Sequence, residues 1–318
     1  SGGFGPGPNV NTREIYIYRI RPDFTLDPAY KISYLPDKML KLTTTGGTVQ
    51  AQVVGLDGHA MFIYNGYLYV VGGKFQYQRT DCYPPPAGTP CNTPTPTAWN
   101  RAVLFAPLQP DGTVGAWMEA PFPSAMSIGT YTPGVAVYKD TLYIAGGWDG
   151  DGQINTNTVI SAILLPDGQL SLWREESKFP KGRSKHAVVA NNNFLYVIGG
   201  NTGGAVSQDG YTQGYENSVY YAPIDSDGNL GDWVSTASLP NTWIDHRAIA
   251  VQDFLLVVGG RNVNEYNDVT GQGNYYQYTL HKTVVAARVQ PDGSLTPWEG
   301  YKYLPADLYH DMHLQNGE

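Results

Sequence analysis

Two recurring features predict an all-β fold, a β-propeller of four-stranded antiparallel blades. One is an apolar strand that ends in a glycine pair, and the other is an Asp-Gly turn followed at a fixed distance by tryptophan. Both occur four times and always in this order, which defines a repeat of about 60 residues. The glycines are Gly72, Gly73, Gly146, Gly147, Gly199, Gly200, Gly259 and Gly260, and the tryptophans are Trp117, Trp173, Trp233 and Trp298.

The segment before each glycine pair has the character of a buried strand. Its copies read YLYVV, TLYIA, FLYVI and FLLVV, which are aromatic, β-branched and too short for helices. Because they are apolar at both alternating positions, we expect both of their faces to be covered, as in an interior strand. The preceding segment, such as HAVVANNN from His186, supplies a partner strand and a tight turn.

Two more strands complete the predicted repeat. A third strand follows an insert after the glycines, as in NTVISAILL from Asn157, and the Asp-Gly turn leads into a fourth strand that carries the tryptophan. Four antiparallel strands in each repeat form the blade of a β-propeller. The glycine pairs have no adjacent lysine and no following helix, so we interpret them as tight strand ends rather than phosphate-binding loops.

This repeat resembles that of the kelch family, in which an apolar strand closed by Gly-Gly is followed by a polar loop, an aromatic or apolar strand and a tryptophan. Kelch repeats span about 50 residues. Here the Asp-Gly hairpin lengthens the distance from the third-strand aromatic residue to the tryptophan, as from Tyr220 to Trp233. In this respect the chain resembles the kelch-like repeats of bacterial secreted and cell-surface proteins. The resemblance implies a propeller and leaves the function open.

We predict one propeller domain over residues 1–318 with five blades. The terminal segments fit one composite blade, with Tyr34 near the tryptophan position, but this blade lacks its apolar second strand. That strand could lie outside the given sequence, be replaced by residues 4–12, or be donated by a neighbouring subunit, which would build a polymer. The predicted blades are 1–36 with 303–318, 56–122, 134–179, 185–239 and 245–302.

Composition and cysteine content bear on the surroundings of the protein. A net charge of −8 without a run of Lys or Arg argues against a nucleic-acid partner, and no segment is apolar enough to span a membrane. Cys82 and Cys91 flank a proline-rich loop, and we predict that they form a disulfide, although two exposed thiols are an alternative. A disulfide favours an extracellular or cell-surface location.

The inserts that follow the glycine pairs are expected to lie on one face of the propeller, because they connect the same pair of strands in each blade. Their amphipathic side chains suit glycan stacking or protein contact, although they could instead cover their own loops. The candidate binding residues are Tyr77, Tyr83, Trp148, Asp149, Asp151, Tyr211, Tyr215, Tyr266, Tyr275 and Tyr276.

Metal-binding and catalytic patterns are weak. His59, His186 and His246 recur at one place in the repeat, with His310 as a fourth copy, so we predict structural roles for them. The segment WDGDGQIN offers oxygen ligands but lacks the glycine and glutamate of an EF-hand. We therefore predict no catalytic residue, metal site or cofactor, while a bound calcium ion stays an open alternative.

These observations predict a non-enzymatic extracellular module for binding or structure, acting in adhesion, in a surface layer or as a self-assembling filament subunit. We expect protein partners or self-association through the insert face, with glycans as further possible ligands. The alternative is a carbohydrate-binding protein or carbohydrate-active enzyme that acts on a glycan at that face.

Overall fold

The computed structural model describes residues 13–23, 25–44, 47–79, 97–123, 131–150, 153–203, 214–266, 275–281 and 283–303. All regular secondary structure within these ranges is β-strand, which confirms the all-β prediction. None of these residues lies in a helix that is long and apolar enough to cross a membrane.

In chain order the strands are β1 (Glu14–Ile20), β2 (Leu26–Tyr34), β3 (Met39–Thr44), β4 (Gly47–Asp57), β5 (Ala60–Tyr64), β6 (Tyr67–Val71), β7 (Lys74–Arg79), β8 (Thr97–Trp99), β9 (Ala102–Pro107), β10 (Met118–Pro121), β11 (Gly134–Tyr138), β12 (Thr141–Ala145), β13 (Trp148–Asp149), β14 (Ile154–Asn155), β15 (Val159–Ile163), β16 (Arg174–Glu175), β17 (Ala187–Asn191), β18 (Phe194–Asn201), β19 (Tyr215–Pro223), β20 (Val234–Thr236), β21 (Arg247–Val251), β22 (Phe254–Val258), β23 (Arg261–Tyr266), β24 (Tyr275–Leu280), β25 (Thr283–Arg288) and β26 (Glu299–Tyr303).

Four antiparallel sheets have the predicted blade pattern, in which the second strand lies between the first and the third. Their strand orders are β5-β6-β9-β10, β11-β12-β15-β16, β17-β18-β19-β20 and β21-β22-β25-β26. β1 pairs with β2 as the predicted third and fourth strands of the N-terminal segment. The number of blades and the composite blade stay predictions, because most of the C-terminal segment lies outside the described residues.

A fifth four-stranded sheet was not predicted. It has the order β3-β4-β7-β8 and includes both ends of the insert after Gly73, which we expected to be a loop. The reason is the alternation in KFQYQR, which turns Phe75 and Tyr77 toward Ala51 and Val53 of β4 in one buried cluster. This apolar alternation is the pattern of a strand with one buried face.

The described residues form two compact units. The first contains residues up to 122 together with 166–169, and the second contains residues 123–165 and 170–303. In the first unit the core includes Ile15 of β1, Leu35, Leu68 of β6 and Leu104 of β9.

The second unit has a layered core in which both faces of β18 are buried. Tyr196 and Ile198 pack in one cluster with Leu255 of β22. Leu195 and Val197 point the other way, into a cluster with Tyr143 of β12. The prediction that the strand before the glycine pair is covered on both faces is therefore confirmed for this repeat.

The glycine pairs hold positions that no other residue could take without strain. Gly199 and Gly200 both have positive φ, at 58° and 99°. A Cβ on Gly199 would lie 2.7 Å from the carbonyl oxygen of Trp243, and one on Gly200 would lie 2.6 Å from the Cβ of His186. Since neither contact leaves room for a side chain, the glycines are structural, as predicted.

Tyrosine hydroxyls of the second strands reach the Asp-Gly turn of another repeat. Tyr143 donates a 2.7 Å hydrogen bond to the carbonyl oxygen of Gly228, and Tyr196 donates one of 2.8 Å to that of Gly293. In the first unit Tyr69 makes the same bond to Gly168 at 3.0 Å. These side chains are fully buried, and burial raises the pKa of Tyr69 to about 12. Each hydroxyl therefore stays protonated and satisfies a carbonyl group.

The repeated tryptophans also bond to the backbone of another sheet. The indole nitrogens of Trp117, Trp233 and Trp298 donate hydrogen bonds of 2.8 to 2.9 Å to main-chain carbonyl oxygens. For Trp117 the acceptor belongs to Tyr34 at the end of β2. The tryptophan that follows each of these Asp-Gly turns thus packs against apolar side chains and also forms a hydrogen bond to the backbone of another repeat.

Two of the repeated histidines are neutral links between sheets. The Nε2–H of His186 donates to the carbonyl oxygen of Ala145, and that of His246 donates to Ile198, both at 3.1 Å. Burial is the main cause that lowers the pKa of His186 to about 3 and that of His246 to about 4, and the nearby Arg183 guanidinium adds to the effect at His186. Both rings are thus uncharged in the native state at neutral pH.

Replacing Tyr196 with Phe is expected to lower the free energy of unfolding by about 1 to 3 kcal/mol, because the buried carbonyl group of Gly293 loses its donor. Urea unfolding followed by tryptophan fluorescence measures this loss. The matched control is Tyr221→Phe, since the Tyr221 ring stacks on Tyr196 but its hydroxyl makes no hydrogen bond within the described residues. Equal losses for the two variants would contradict the role of the Tyr196 hydroxyl.

Lowering the pH from 6.5 to 5 is expected to destabilise the protein. The unfolded chain protonates its histidines below their ordinary pKa of 6.5, whereas His186 and His246 stay neutral in the fold down to pH about 4. Each histidine then removes about 1.4 kcal/mol of stability per pH unit. Urea unfolding at pH 6.5, 5.75 and 5 measures how steeply the free energy of unfolding changes with pH. His246→Gln should reduce this slope by the equivalent of about one bound proton. An unchanged slope in that variant would show that His246 is not the titrating group.

Candidate functional site

The predicted binding residues are only partly brought together. Trp148 and Tyr215 are half-buried beside the glycine pairs, and Asp149 follows Trp148 in the same short strand. Tyr77 is a correction, because its ring is buried in the core of the first unit and is not available to a ligand. For three predicted residues the structure gives only the place in a strand: Tyr266 ends β23, and Tyr275 and Tyr276 begin β24. The sites that fall outside the described residues are Tyr83, Asp151, Tyr211, Cys82, Cys91 and His310.

The described parts of the inserts in the second unit contain paired strands. β13 pairs with β14, β18 and β19 pair beyond the glycines as far as Asn201 and Tyr215, and β23 pairs with β24. The residue after each glycine pair also bridges the segment before the first strand, as in Tyr131 with Trp148. The Tyr131 and Trp148 rings meet edge to face at 6.3 Å between centroids. The described part of this surface is therefore built largely from paired strands.

A buried arginine braces the segment that links two repeats. Arg183 has no exposed surface, and its Nη1 donates to the carbonyl oxygen of Gly199 at 2.8 Å while Nη2 donates to the Ser218 hydroxyl. Its guanidinium lies over the rings of Phe179 and Tyr220. Burial lowers the pKa of Arg183 from its ordinary value, although the neighbouring charge of Glu216 opposes this shift. These contacts give Arg183 a structural role, because they tie its guanidinium to the surrounding backbone and rings.

The next linking segment replaces this arginine with tryptophan. Trp243 stands at the position of Arg183 and is also buried, with its ring edge-on to His281 at 4.1 Å between centroids. The backbone contact is the same in both copies, since Gly147 N–H donates to Arg183 and Gly200 N–H donates to Trp243. The position keeps its main-chain role while the side chain varies, which is why no sequence motif marked it.

Three non-glycine residues with positive φ recur just before the first strands. They are Thr132, Lys185 and Asp245, with φ between 49° and 57°. Their backbones are linked, because Lys185 N–H donates to Thr132 and Asp245 N–H donates to Lys185. The Asp245 carboxylate also forms an ion pair with Arg261 at 2.9 Å. Sequence analysis missed these residues, since nothing in their identities signals a left-handed conformation.

The proposed calcium ligands do not form a site within the described residues. Asp149 and Asn155 lie on paired strands, with Asp149 opposite Ile154 and Asn155 opposite Trp148. The third candidate, Asp151, lies outside the described ranges. No group of three or more His, Cys, Asp or Glu side chains there is placed to hold a metal ion.

A cavity with a mixed polar and apolar lining lies at the other ends of the strands, away from the glycine pairs. It measures about 820 Å³ and is lined by the tight turns between first and second strands together with the last Asp-Gly turn. Asp253 and Arg288 form an ion pair there at 2.6 Å, which holds the pKa of the Asp253 carboxyl below its usual value. From the sequence, Asp253 could be predicted only as a turn residue, because its ion pair with Arg288 depends on the register of β22 with β25.

Comparisons with known proteins agree with this architecture. No protein-family model matches the chain. It is 26% identical over 203 residues to a kelch repeat-containing protein of Arabidopsis thaliana, covering 61% of this chain and 41% of that protein. It is also 30% identical over 99 residues to kelch-like protein 36 of Bos taurus, covering 31% of this chain and 15% of that protein. The chain thus spans less than half the length of these relatives.

A solved structure extends the comparison over nearly the whole chain. The structure of YjhT aligns with a TM-score of 0.51 at 14% identity, covering 91% of this chain and 95% of that one. At this identity the similarity bears on the fold alone. Together with the repeated strands, glycine pairs and tryptophans, these findings show a fold of the β-propeller class whose repeats are similar to those of kelch repeat proteins.

Proposed function

We propose that this protein is a non-enzymatic binding or structural module of the extracellular or cell-surface type, which acts in adhesion, in a surface layer or as a filament subunit. Its kelch-type repeats favour protein–protein interaction, as the match to kelch repeat proteins supports. The observation that carries the finer proposal is an exposed apolar face on the N-terminal sheet formed by β1 and β2.

The two faces of this sheet differ sharply. Ile15 is buried in the core of the first unit, and Ile17 packs against the same cluster. On the opposite face the cross-strand partners Ile20 and Leu26 are 67% and 57% exposed, and Ile32, which pairs with Tyr16 further along the sheet, is also exposed. Apolar side chains gathered on one exposed face indicate an interaction surface, because scattered single residues would need no explanation.

The turn between β1 and β2 supports the proposal that they are the third and fourth strands of a repeat. The Thr25 amide and hydroxyl both donate to the Asp23 carboxylate, as those of Thr113 do to Asp111 in the turn before β10. In the described part of the chain this sheet has two strands where the corresponding sheets have four. It is therefore the sheet to which a further strand is most readily added.

A second copy of this chain is the donor that we propose. The strand at the corresponding place in another repeat, β18, is buried on both faces, so a donated strand must be apolar at both alternating positions. Donation of such a strand between copies would generate a polymer. Packing of the donor copy on the exposed face would bury Ile20 and Leu26 and contribute about 1.5 to 3 kcal/mol for each side chain.

Self-association is expected to depend on this face. Sedimentation velocity over a hundredfold range of concentration, with electron microscopy of the same samples, should show oligomers that Ile20→Glu weakens by at least about tenfold, because a carboxylate would be buried at the contact. Leu172→Glu is the matched control, since Leu172 is 91% exposed in the second unit. A protein that stays monomeric at every concentration, or equal effects of the two substitutions, would contradict the proposal.

The extracellular proposal also concerns Cys82 and Cys91, which lie outside the described residues. Protein secreted through an oxidising compartment is expected to resist alkylation by iodoacetamide until a reductant is added, because the two thiols are joined. Mass spectrometry of tryptic peptides should then find both cysteines in one peptide that has two hydrogen atoms fewer than its reduced form, and Cys91→Ser should abolish this difference. Two alkylated cysteines without reductant would contradict the disulfide.

A further inference from the structure

We propose that the cavity at the turn side of the second unit binds a neutral saccharide. The cavity measures about 820 Å³, within the usual range of small-molecule sites. Three successive repeats contribute to it, through Tyr138, through Asn192 and Asn193, and through Asp253. The site lies at the strand ends opposite to the glycine pairs and inserts, so it is distinct from the predicted insert face.

The charges of the lining favour an uncharged ligand. Arg288 Nε donates to Asp253 Oδ2 at 2.6 Å, so the one cation and the one carboxylate of the lining neutralise each other. The Arg288 side chain nevertheless remains 60% exposed, which leaves its terminal N–H groups facing solvent. An anionic ligand near the Arg288 guanidinium would be repelled by the neighbouring Asp253 carboxylate. A cationic ligand near this carboxylate would be repelled by the guanidinium.

The remaining polar groups suit hydroxyl groups on a ligand. The Tyr138 hydroxyl donates to Asn193 Oδ1 and accepts from the Asn193 backbone N–H, which orients the Asn193 amide. Its Nδ2 has no protein acceptor within the described residues. A hydroxyl group can donate to a carboxylate and accept from an amide or guanidinium at once, so vicinal hydroxyls match this mixed set of donors and acceptors.

The shape and rigidity of the site agree with this ligand class. The lining includes Pro291 and Tyr138 beside its polar groups, so it offers an apolar surface against which a pyranose ring can pack. The surrounding backbone is fixed, because Asn191 Nδ2 donates to the carbonyl oxygen of Gln252 and Arg288 N–H donates to the Thr296 hydroxyl. A site already held in shape loses little entropy when it binds.

Saturation-transfer NMR with the methyl glycosides of glucose, galactose, mannose and N-acetylglucosamine tests the proposal, with sodium glucuronate as the anionic probe. At least one neutral glycoside should bind, and more tightly than glucuronate. Asp253→Asn should weaken that binding roughly 10- to 100-fold, because it removes a charged acceptor while keeping the size of the side chain.

The matched control is Asp245→Asn, which alters a similar ion pair with Arg261 at the glycine-pair ends of the strands. It should leave saccharide binding unchanged, and thermal melting should show that both variants are folded. Tighter binding of glucuronate, equal losses in the two variants, or no binding of any neutral glycoside would overturn the proposal.

Discussion

The close approach of backbones at the glycine pairs is the constraint on which the rest of this structure depends. Gly199 and Gly200 lie between the linking segments on either side of their sheet, where added Cβ atoms would fall within 2.7 Å of other atoms. This closeness lets Gly200 N–H bond to the carbonyl group of Trp243. It also brings His186 and His246 within reach of carbonyl groups in neighbouring sheets.

Hydrogen bonds from side chains to backbone carbonyl groups then fix how successive sheets pack in the second unit. Sheets that meet only through apolar side chains could slide with little cost, because hydrophobic contact has no direction. The Tyr196 hydroxyl and the Trp298 indole remove this freedom, since each has one acceptor at a set distance. In the last repeat Leu256 stands at the tyrosine position, so its sheet makes no such bond through that strand.

The strands and their repeat could be predicted from the sequence because period and turn chemistry are local. Burial of both faces of FLYVI follows from its lack of polar positions, and β18 confirms it. The sheet formed by β3, β4, β7 and β8 could not be predicted, because the alternation of KFQYQR was hidden in a long insert. The prediction of Tyr77 as a binding residue was wrong for the same reason, since the strand turns its ring into the core. Arg183 and the Asp253–Arg288 pair depend on contacts between distant segments, which no single stretch of sequence records.

The two ends of the sheets in the second unit differ in how their polar groups are used. At the glycine-pair end Arg183 donates hydrogen bonds to backbone carbonyl and hydroxyl oxygens, and Lys181 forms an ion pair with Glu216. At the turn end Arg288 keeps most of its side chain in solvent beside an oriented asparagine. Groups that are already satisfied gain little from a ligand, whereas oriented groups still facing water exchange that water for ligand atoms. Recognition of small polar molecules is therefore better suited to the turn end, and the glycine-pair end serves to hold the repeats together.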